Sequence, residues 1–311
     1  MNKKIVVLQS DNLKSIIQDT DTTLLLALEA QKRDYKIYYY ETKDLSFING
    51  KVFADVKELK LFENKKKFYQ VIKTKLFDLS KANYILMRQN PPFNMNYINS
   101  TFFLECLPKS VKIINNPLSV RNISEKFYSV NFIKFMPPTI FTKNIIKIKN
   151  FLKKYKKIVI KPIHGYGGKN ILFIRKSINK NKILHYINKF DHVMVQKFIP
   201  KVEKGDKRVF IINGLVKGAI RRIPKKGSYL SNLGQGGLAV KTKLNKKELK
   251  ISKIVAKNLK KRKIFLAGID LISNYLIGDI NVTSPTGLKN FKDLTNINLA
   301  IDFWDNLEKL K

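Results

Sequence analysis

Short apolar runs recur along this chain with spacings that switch between the two-residue period of strands and the 3.6-residue period of helices. Lys4-Ile5-Val6-Val7-Leu8 reads as a first strand, Thr22 to Arg33 as an amphipathic helix, and Tyr35-Lys36-Ile37-Tyr38-Tyr39-Tyr40 as a second strand. This is a βαβ opening. Asp21, ahead of Thr22 and Thr23, is a suitable helix N-cap, and Glu29 and Arg33 are spaced for an i,i+4 ion pair. Further strands are predicted at Tyr84-Ile85-Leu86-Met87 and at Val111-Lys112-Ile113-Ile114, the latter stopped by Asn115-Asn116-Pro117. Up to about residue 121 the alternation predicts an α/β unit with a parallel, doubly wound sheet.

A helix predicted around Ile123 to Phe135 is interrupted by Pro137-Pro138, and a second unit begins near there. It holds a helix ending in Lys153-Lys154-Tyr155, the strand Ile158-Val159-Ile160-Lys161, a glycine-rich turn, the strand Ile171-Leu172-Phe173-Ile174, another helix, and the strand Val193-Met194-Val195-Gln196. Strands 208–212 and 216–220 flank Asn213-Gly214, a type I′ hairpin signal, and open a third unit.

Two constellations carry chemistry. The first is Lys161-Pro162-Ile163-His164-Gly165-Tyr166-Gly167-Gly168-Lys169, a glycine-rich turn between two strands with a lysine ending the first of them. Glycines let backbone N–H groups approach phosphate oxygens, although the P-loop order of Lys-Ser/Thr and a helix is missing, and an ordinary glycine-rich hairpin has the same pattern. The second is the pair of strands joined at Ser273-Asn274. A regular two-residue hairpin there sets Asp270 opposite Ile277 and projects Asp270, Asp279 and Asn281 from one face, as oxygen ligands for a hard cation. The competing reading is a solvated polar face, which the apolar neighbours of these residues argue against.

Composition invites one more hypothesis. The chain carries 61 basic and 23 acidic residues, a formal charge of +38, which suits polyanion binding. Only eight of the 61 are Arg, the residue suited to bidentate phosphate and base contacts, and the lysines are spread along the chain. The runs at 65–67, 153–157 and 260–263 therefore read as solvated helix faces, and no specific nucleic-acid partner is expected. A single cysteine, Cys106, excludes an internal disulfide, suits a reducing compartment and reads as a buried apolar residue. No apolar run approaches the roughly 18 residues of a membrane span, so no membrane partner is expected either.

The order Glu125-Lys126, Lys161-Pro162 with Gly165-Tyr166-Gly167-Gly168, Gln196 with Ile199-Pro200, Gly205-Asp206-Lys207-Arg208, Arg222-Ile223-Pro224, and Asp279-Ile280-Asn281-Val282-Thr283-Ser284-Pro285-Thr286 resembles the bacterial glutathione synthetases of the ATP-grasp superfamily. The likeness spans nearly the whole chain. It includes Leu28-Glu29-Ala30-Gln31-Lys32-Arg33 and Met87-Arg88-Gln89-Asn90-Pro91-Pro92-Phe93 in the first unit.

The resemblance implies an ATP-grasp fold: a substrate domain over 1–121, a central subdomain with the glycine-rich loop over 122–203, and a C-terminal subdomain over 204–311 with a lid and a metal site. It implies a ligase in which ATP phosphorylates a carboxylate of γ-glutamylcysteine and glycine displaces the phosphate, giving glutathione, ADP and phosphate. Lys126, Lys161, Gly165, Tyr166, Gly167, Gly168, Gln196, Lys197, Phe198, Ile199 and Asp206 would bind ATP. Asp270, Asp279 and Asn281 would hold Mg²⁺, with Mn²⁺ as an alternative. Arg208 and Arg222 would stabilise the charge that develops during transfer. Arg88, Asn281, Ser284 and Thr286 would meet the substrate, Arg88 having a structural ion pair as its other reading. A cytoplasmic homotetramer is implied as well.

Three positions depart from the family pattern. Asp279 stands where Glu is usual, Leu230 of the expected lid 225–237 stands where Arg is common, and Leu288-Lys289-Asn290 replaces the usual polar segment after Ser-Pro-Thr-Gly. A related ligase joining a different acid and amine, or a degenerate ATP-binding homologue, is the alternative.

Overall fold

The computed structural model describes residues 3–63 and 66–310. Its sixteen strands form three sheets. The first contains β1 (Ile5–Gln9), β2 (Lys36–Tyr40), β3 (Leu45–Ile48), β4 (Lys51–Leu61), β5 (Tyr69–Asp78), β6 (Tyr84–Met87) and β7 (Lys112–Ile114). Its centre is parallel as expected, in the order β2-β1-β6-β7. Antiparallel β4 then pairs with β2, and β3 and β5 pair with β4. This antiparallel arm escaped the periodicity because β5 leaves both faces largely to solvent, with Val71, Ile72 and Leu76 exposed. It also corrects the reading of the first lysine run: Lys66 and Lys67 lie between β4 and β5, not on a helix, and Lys65 lies outside the described residues.

Helix α1 (Thr22–Lys32) starts where Asp21 accepts a bond from the Leu24 amide at 2.6 Å, and Arg33 pairs with Glu29 at 3.1 Å. Its amphipathicity is weaker than expected, since residues 22–27 are all buried. Helices α2 (Met95–Glu105) and α3 (Pro117–Asn122) complete the first unit. Cys106 caps α2 and is exposed, which corrects the expectation of a buried thiol: it falls with Phe102 and Glu105 on the solvent side of the helix, opposite the buried Thr101 and Leu104. The helix expected over 123–135 is a run of 3₁₀ turns over Phe127–Phe135, broken by the non-helical backbone of Phe132.

The second sheet is antiparallel, built from β8 (Thr139–Thr142), β9 (Lys157–Pro162), β10 (Leu172–Arg175) and β11 (Val193–Lys197) in the order β10-β9-β11-β8. Helices α4 (Ile145–Tyr155) and α5 (Lys180–Phe190) cover it and give it a core of its own, with Ile148, Ile158, Ile160 and Val195 fully buried. The third sheet, also antiparallel, contains β12 (Asp206–Ile212), β13 (Leu215–Ile223), β14 (Leu238–Lys241), β15 (Leu266–Ile272) and β16 (Tyr275–Asn281). Asn213 and Gly214 both take positive φ and close the β12–β13 hairpin as the sequence predicts.

Helix α6 (Lys246–Lys261) belongs to the third unit, and α7 (Leu288–Thr295) and α8 (Leu299–Glu308) return to α1. Trp304 of α8 is fully buried and donates its indole N–H to Leu26 O at 2.8 Å. First and third sheets thus share continuous apolar cores, and Asn115 joins them further. Its amide donates to Leu266 O (2.7 Å) and Val282 O (2.6 Å) and accepts from Phe265 N and Leu266 N (both 2.8 Å). Every donor and acceptor site of that side chain is used. Among the described residues no helix is long and apolar enough to cross a membrane.

Candidate active site

A cavity of about 660 Å³ separates the second and third sheets. Its apolar part is lined by Val159, Ile171, Phe173, Phe198, Ile272 and Ile277. Its polar part holds the charged residues singled out in the sequence, and strand register explains why they converge.

On β12, side chains two apart share a face, so Asp206 and Arg208 point the same way. Asp206 pairs across the sheet with Arg222, and Arg208 with Asp270. Arg222 grips Asp206 through Nε and Nη2 at 2.7 and 2.8 Å, and its Nη2 also lies 2.7 Å from Asp270 Oδ2. Arg208 grips Asp270 through Nε at 2.5 Å and Nη2 at 3.0 Å. All four side chains are buried, and Gly268 leaves room for the Arg208 stem, since a Cβ there would sit 2.9 Å from Arg208 Cδ. Burial alone would raise the Asp270 carboxyl, but the two guanidiniums outweigh it and hold the group below the usual carboxylate range. Burial works against the Arg222 cation, yet Asp206 and Asp270 keep it firmly charged.

The β15–β16 hairpin departs from the regular ladder. Pairing runs Leu271↔Leu276 and then Ile269↔Ile280, so Asp270 alone faces the three residues 277–279, and Gly278 takes a φ of 91° within this bulge. The expected register, with Asp270 opposite Ile277 in an unbroken hairpin, is therefore corrected. The bulge re-aims the strand without moving the ligands apart: Asp270, Asp279 and Asn281 all line the cavity.

Asp279 is held from two sides. Lys161, at the end of β9, places Nζ 3.3 Å from Oδ2 and donates to Ile277 O at 3.0 Å. Lys126, just ahead of the 3₁₀ run, places Nζ 3.3 Å from Oδ1, 3.7 Å from Glu125 Oε1, and donates to Gly165 O. Burial would raise the Asp279 carboxyl; Lys161 and Lys126 together lower it below the usual range. A unit-charge pair 4 Å apart is worth about 4 kcal/mol at an effective dielectric near 20, so two such partners overcome the cost of burial. The partly buried Glu125 carboxyl is pushed up by desolvation against the pull of Lys126. Its role was not legible, because a carboxylate beside a lysine in sequence reads as a surface pair.

The roof consists of the 163–170 turn and the 225–237 segment, already in contact. Gly168 has φ 75°, and a Cβ there would meet Asn232 Nδ2 at 2.5 Å. Ser231 donates to Asp206 Oδ2 at 2.6 Å, while Tyr229 packs on Phe173 and Phe198 at 4.9 and 5.3 Å between ring centroids. Leu230 lines the cavity. Tyr229, Ser231 and Asn232 were not singled out as site residues, for a loop without periodicity gives no sign of what it packs against.

Gly165, Tyr166, Gly167, Lys197, Phe198 and Ile199 also line the cavity. So does Gln196, which donates to Thr139 Oγ1 at 2.9 Å. Lys197 is exposed, with its ammonium 5.7 Å from the Tyr155 ring centroid. Ser284 and Thr286 line the end nearest the first unit: Ser284 donates to Arg88 O at 3.1 Å, and Thr286 O accepts from Arg208 at 3.4 Å. Arg88 lies behind that wall, donating to Thr23 Oγ1 and Pro285 O at 3.0 Å each, with Nη1 buried and unpaired. Desolvation pulls its guanidinium down to about 10 despite attraction from Asp21, Tyr97 and Asp11. Asp21, read only as a helix cap, lines the cavity too.

Among the described residues no three His, Cys, Asp or Glu side chains form a metal-binding group, and the candidate set is two carboxylates and one amide. That set suits Mg²⁺, which takes few protein oxygens and completes its octahedron with phosphate and water. Both carboxylates are held ionised, as ligands must be.

Residues 4–121 match the model of the prokaryotic glutathione synthetase N-terminal domain, and residues 125–296 match that of the prokaryotic glutathione synthetase ATP-grasp domain. A glutathione synthetase of Buchnera aphidicola subsp. Baizongia pistaciae is 40% identical over 305 residues, covering 96% of this chain and 94% of that protein. One from Mesorhizobium japonicum is 36% identical over 311 residues, covering 99% of both. Among solved structures, D-cycloserine synthetase superposes with a TM-score of 0.68 at 14% identity, covering 99% of this chain and 100% of that one. Matched through both of its characteristic domains, this chain belongs to the prokaryotic glutathione synthetase family, carboxylate–amine ligases of ATP-grasp fold.

Proposed function

We propose that the protein ligates γ-glutamylcysteine to glycine at the expense of ATP, through an acyl phosphate. The observation that carries this reading is the double lysine clamp on Asp279 beneath a glycine-rich roof. Two buried ammoniums and two buried guanidiniums are gathered in one cleft against the carboxylates of Glu125, Asp206, Asp270 and Asp279, fixed cations that a polyphosphate with a divalent cation can take over.

In this scheme the apolar slot between Val159 and Ile277 takes the adenine, with Gln196 to Ile199 along its edge. Lys126 and Lys161 turn from Asp279 to the phosphates, and the Gly165–Gly168 turn covers them. Asp270, Asp279 and Asn281 hold Mg²⁺, which when bound neutralises phosphate charge and orients the transferring group. The substrate carboxylate attacks the terminal phosphorus, ADP leaves, and the glycine amine then attacks the acyl carbon and expels phosphate. Arg208 and Arg222 offer fixed positive charge to the carboxylate oxygens as they take up phosphate and to the tetrahedral oxyanion. Arg88 lies behind the wall formed by Ser284 and Pro285, so its unpaired Nη1 would meet a substrate carboxylate only once that wall moves aside. The reading includes a homotetramer acting in the cytoplasm, testable by light scattering and by fractionation.

Leu230 favours one second reading: an apolar residue lines the cavity where the lid of relatives commonly carries Arg, which suits a different acid or amine. ADP release with γ-glutamylcysteine and glycine, against a panel of other amino acids and dipeptides, separates the two. Glycine-dependent turnover supports the proposal, and turnover only with another pair replaces it.

A further inference from the structure

A second concavity lies on the far side of the second sheet's edge, where α4 ends and β9 begins. It is lined by Lys149, Lys153, Lys156, Lys157, Arg175 and Lys176, together with Leu152, Ser177 and Ile178, and contains no carboxylate. The geometry sets like charges side by side, each conflict a small one because all six side chains are exposed. Lys157 and Arg175 are directly opposed across the β9–β10 pair, where like charges are destabilising. Lys149 and Lys153 repeat the conflict at i,i+4 on α4. Lys156 and Lys176 extend the cluster from turn positions with φ of 65° and 69°, conformations that Asn or Gly adopts more easily than Lys. Among the described residues, none of these six cations is ion-paired to an acidic side chain. The helix dipole accounts for Lys153, in the last turn, but not for the strand and turn residues around it.

Arg175 connects this groove to the roof of the main cavity. Its Nη2 donates to Tyr229 Oη, and its guanidinium lies 5.4 Å from the Tyr229 ring centroid and 5.8 Å from that of Phe198. Tyr229 and Phe198 line the main cavity, while Arg175 lines the basic groove.

We propose that the Lys149–Lys176 groove is a regulatory site for a triphosphate-type anion, whose occupancy draws Arg175 away from Tyr229 and loosens the 225–237 segment. The anion relieves the Lys157–Arg175 repulsion, and charge-assisted contacts to phosphate are the strong kind. Because one guanidinium serves both partners, occupancy of the groove and a closed roof oppose each other. Linkage then requires that a nucleotide in the main cavity weaken the anion by the same factor.

The test uses the full-length protein and inorganic tripolyphosphate, titrated calorimetrically with the main cavity filled by a single equivalent of a non-hydrolysable ATP analogue, so that none is left over for the groove. We expect one tripolyphosphate to bind. Its affinity should fall by at least about tenfold in Lys153→Glu/Lys157→Glu, which reverses two charges, and by a smaller factor in Lys149→Ser/Lys176→Ser, which removes two. Lys161→Ala, titrated without the analogue, should retain this binding, which separates the groove from the nucleotide site even if the ligase reading fails. Tripolyphosphate should raise the wild-type Kd for the ATP analogue by about five- to tenfold. In Tyr229→Phe that effect should vanish while tripolyphosphate still binds. ATP competing better than tripolyphosphate at the groove identifies the source of the triphosphate as a nucleotide. Affinity unchanged in both lysine pairs overturns the site, an undiminished effect in Tyr229→Phe overturns the coupling, and displacement of tripolyphosphate by a single-stranded oligonucleotide at far lower concentration reassigns the groove to nucleic acid.

Discussion

Lys161 reaches Asp279 from the other sheet, its Nζ 3.3 Å from Oδ2, and Lys126 holds the second carboxylate oxygen at the same distance. Two ammoniums are thereby kept in place by one carboxylate. In the function proposed above, arriving phosphate would draw both lysines away and leave the carboxylate to a cation, an exchange that would couple the two ligands through three side chains.

That exchange separates two variants. Lys161→Ala should weaken ATP binding by about a hundredfold or more, because a buried phosphate loses a charged partner. Asp279→Asn frees both lysines, so binding of metal-free ATP should be unchanged or tighter while Mg²⁺-dependent turnover falls by about 10²–10³. Calorimetry without metal, beside steady-state ADP release, checks both. Equal loss of metal-free binding in the two variants would contradict the arrangement.

Arg222 serves two buried acids at once. Arg222→Met should destabilise the protein by about 3–5 kcal/mol, since Asp206 loses its guanidinium partner and Asp270 one of two. The double variant Arg222→Met/Asp206→Leu should recover part of that loss, because no stranded carboxylate remains at position 206. Urea unfolding measures the difference.

Gly168→Ala should act on the roof. The added methyl would meet Asn232 Nδ2 at 2.5 Å, and the left-handed backbone costs about 1 kcal/mol more for alanine. KM for ATP should rise by about tenfold, and pairing the change with Asn232→Gly should return the steric share but leave the backbone share.

The lowered carboxyls set an acid limit on stability. Asp270 and Asp279 both fall below their unfolded values, near 3.9. Their stabilisation is complete above that value and is lost as pH falls through the native ones. In that window each contributes a slope of up to about 1.4 kcal/mol per pH unit. In Asp279→Asn the ligand-free protein should lose stability less steeply below about pH 4, by one such increment, as judged by urea midpoints across pH. An identical slope would show that Asp279 does not stay ionised there.

The parts of the fold carried by period and punctuation were legible: the βαβ opening, the β12–β13 hairpin with its Asn-Gly turn, and the strands that carry Lys161 and Asp270. So was the convergence of Asp270, Asp279 and Asn281, though for a partly wrong reason. An even spacing predicted a shared face, whereas the structure achieves it through a bulge at residues 277–279. Illegible features were those decided by distant partners. The β4–β5 arm has few buried positions on β5 to set a period, and Cys106 is exposed because it falls on the solvent side of α2, with Phe102 and Glu105. Glu125 becomes a half-buried carboxylate because β16 passes it, with Ile280 N bonded to Glu125 O at 3.0 Å. No local pattern records such a neighbour.

Asn115 has a mechanical consequence. By saturating its four bonds on β15 and the end of β16, it locks the first unit to the sheet that carries Asp270 and Asp279, and the shared apolar cores do the same over a wider area. The second sheet has a core of its own and touches the remainder of this wall through the smaller cluster of Val159, Phe198, Val202, Ile272 and Ile277 and through Met194 and Phe141, which reach into the shared core. The molecule is therefore an anvil and a jaw. In the function proposed above, admission of ATP and escape of ADP would fall to the jaw, the unit of Lys161 and the glycine turn, while the anvil would keep Asp270, Asp279 and Asn281 in fixed register.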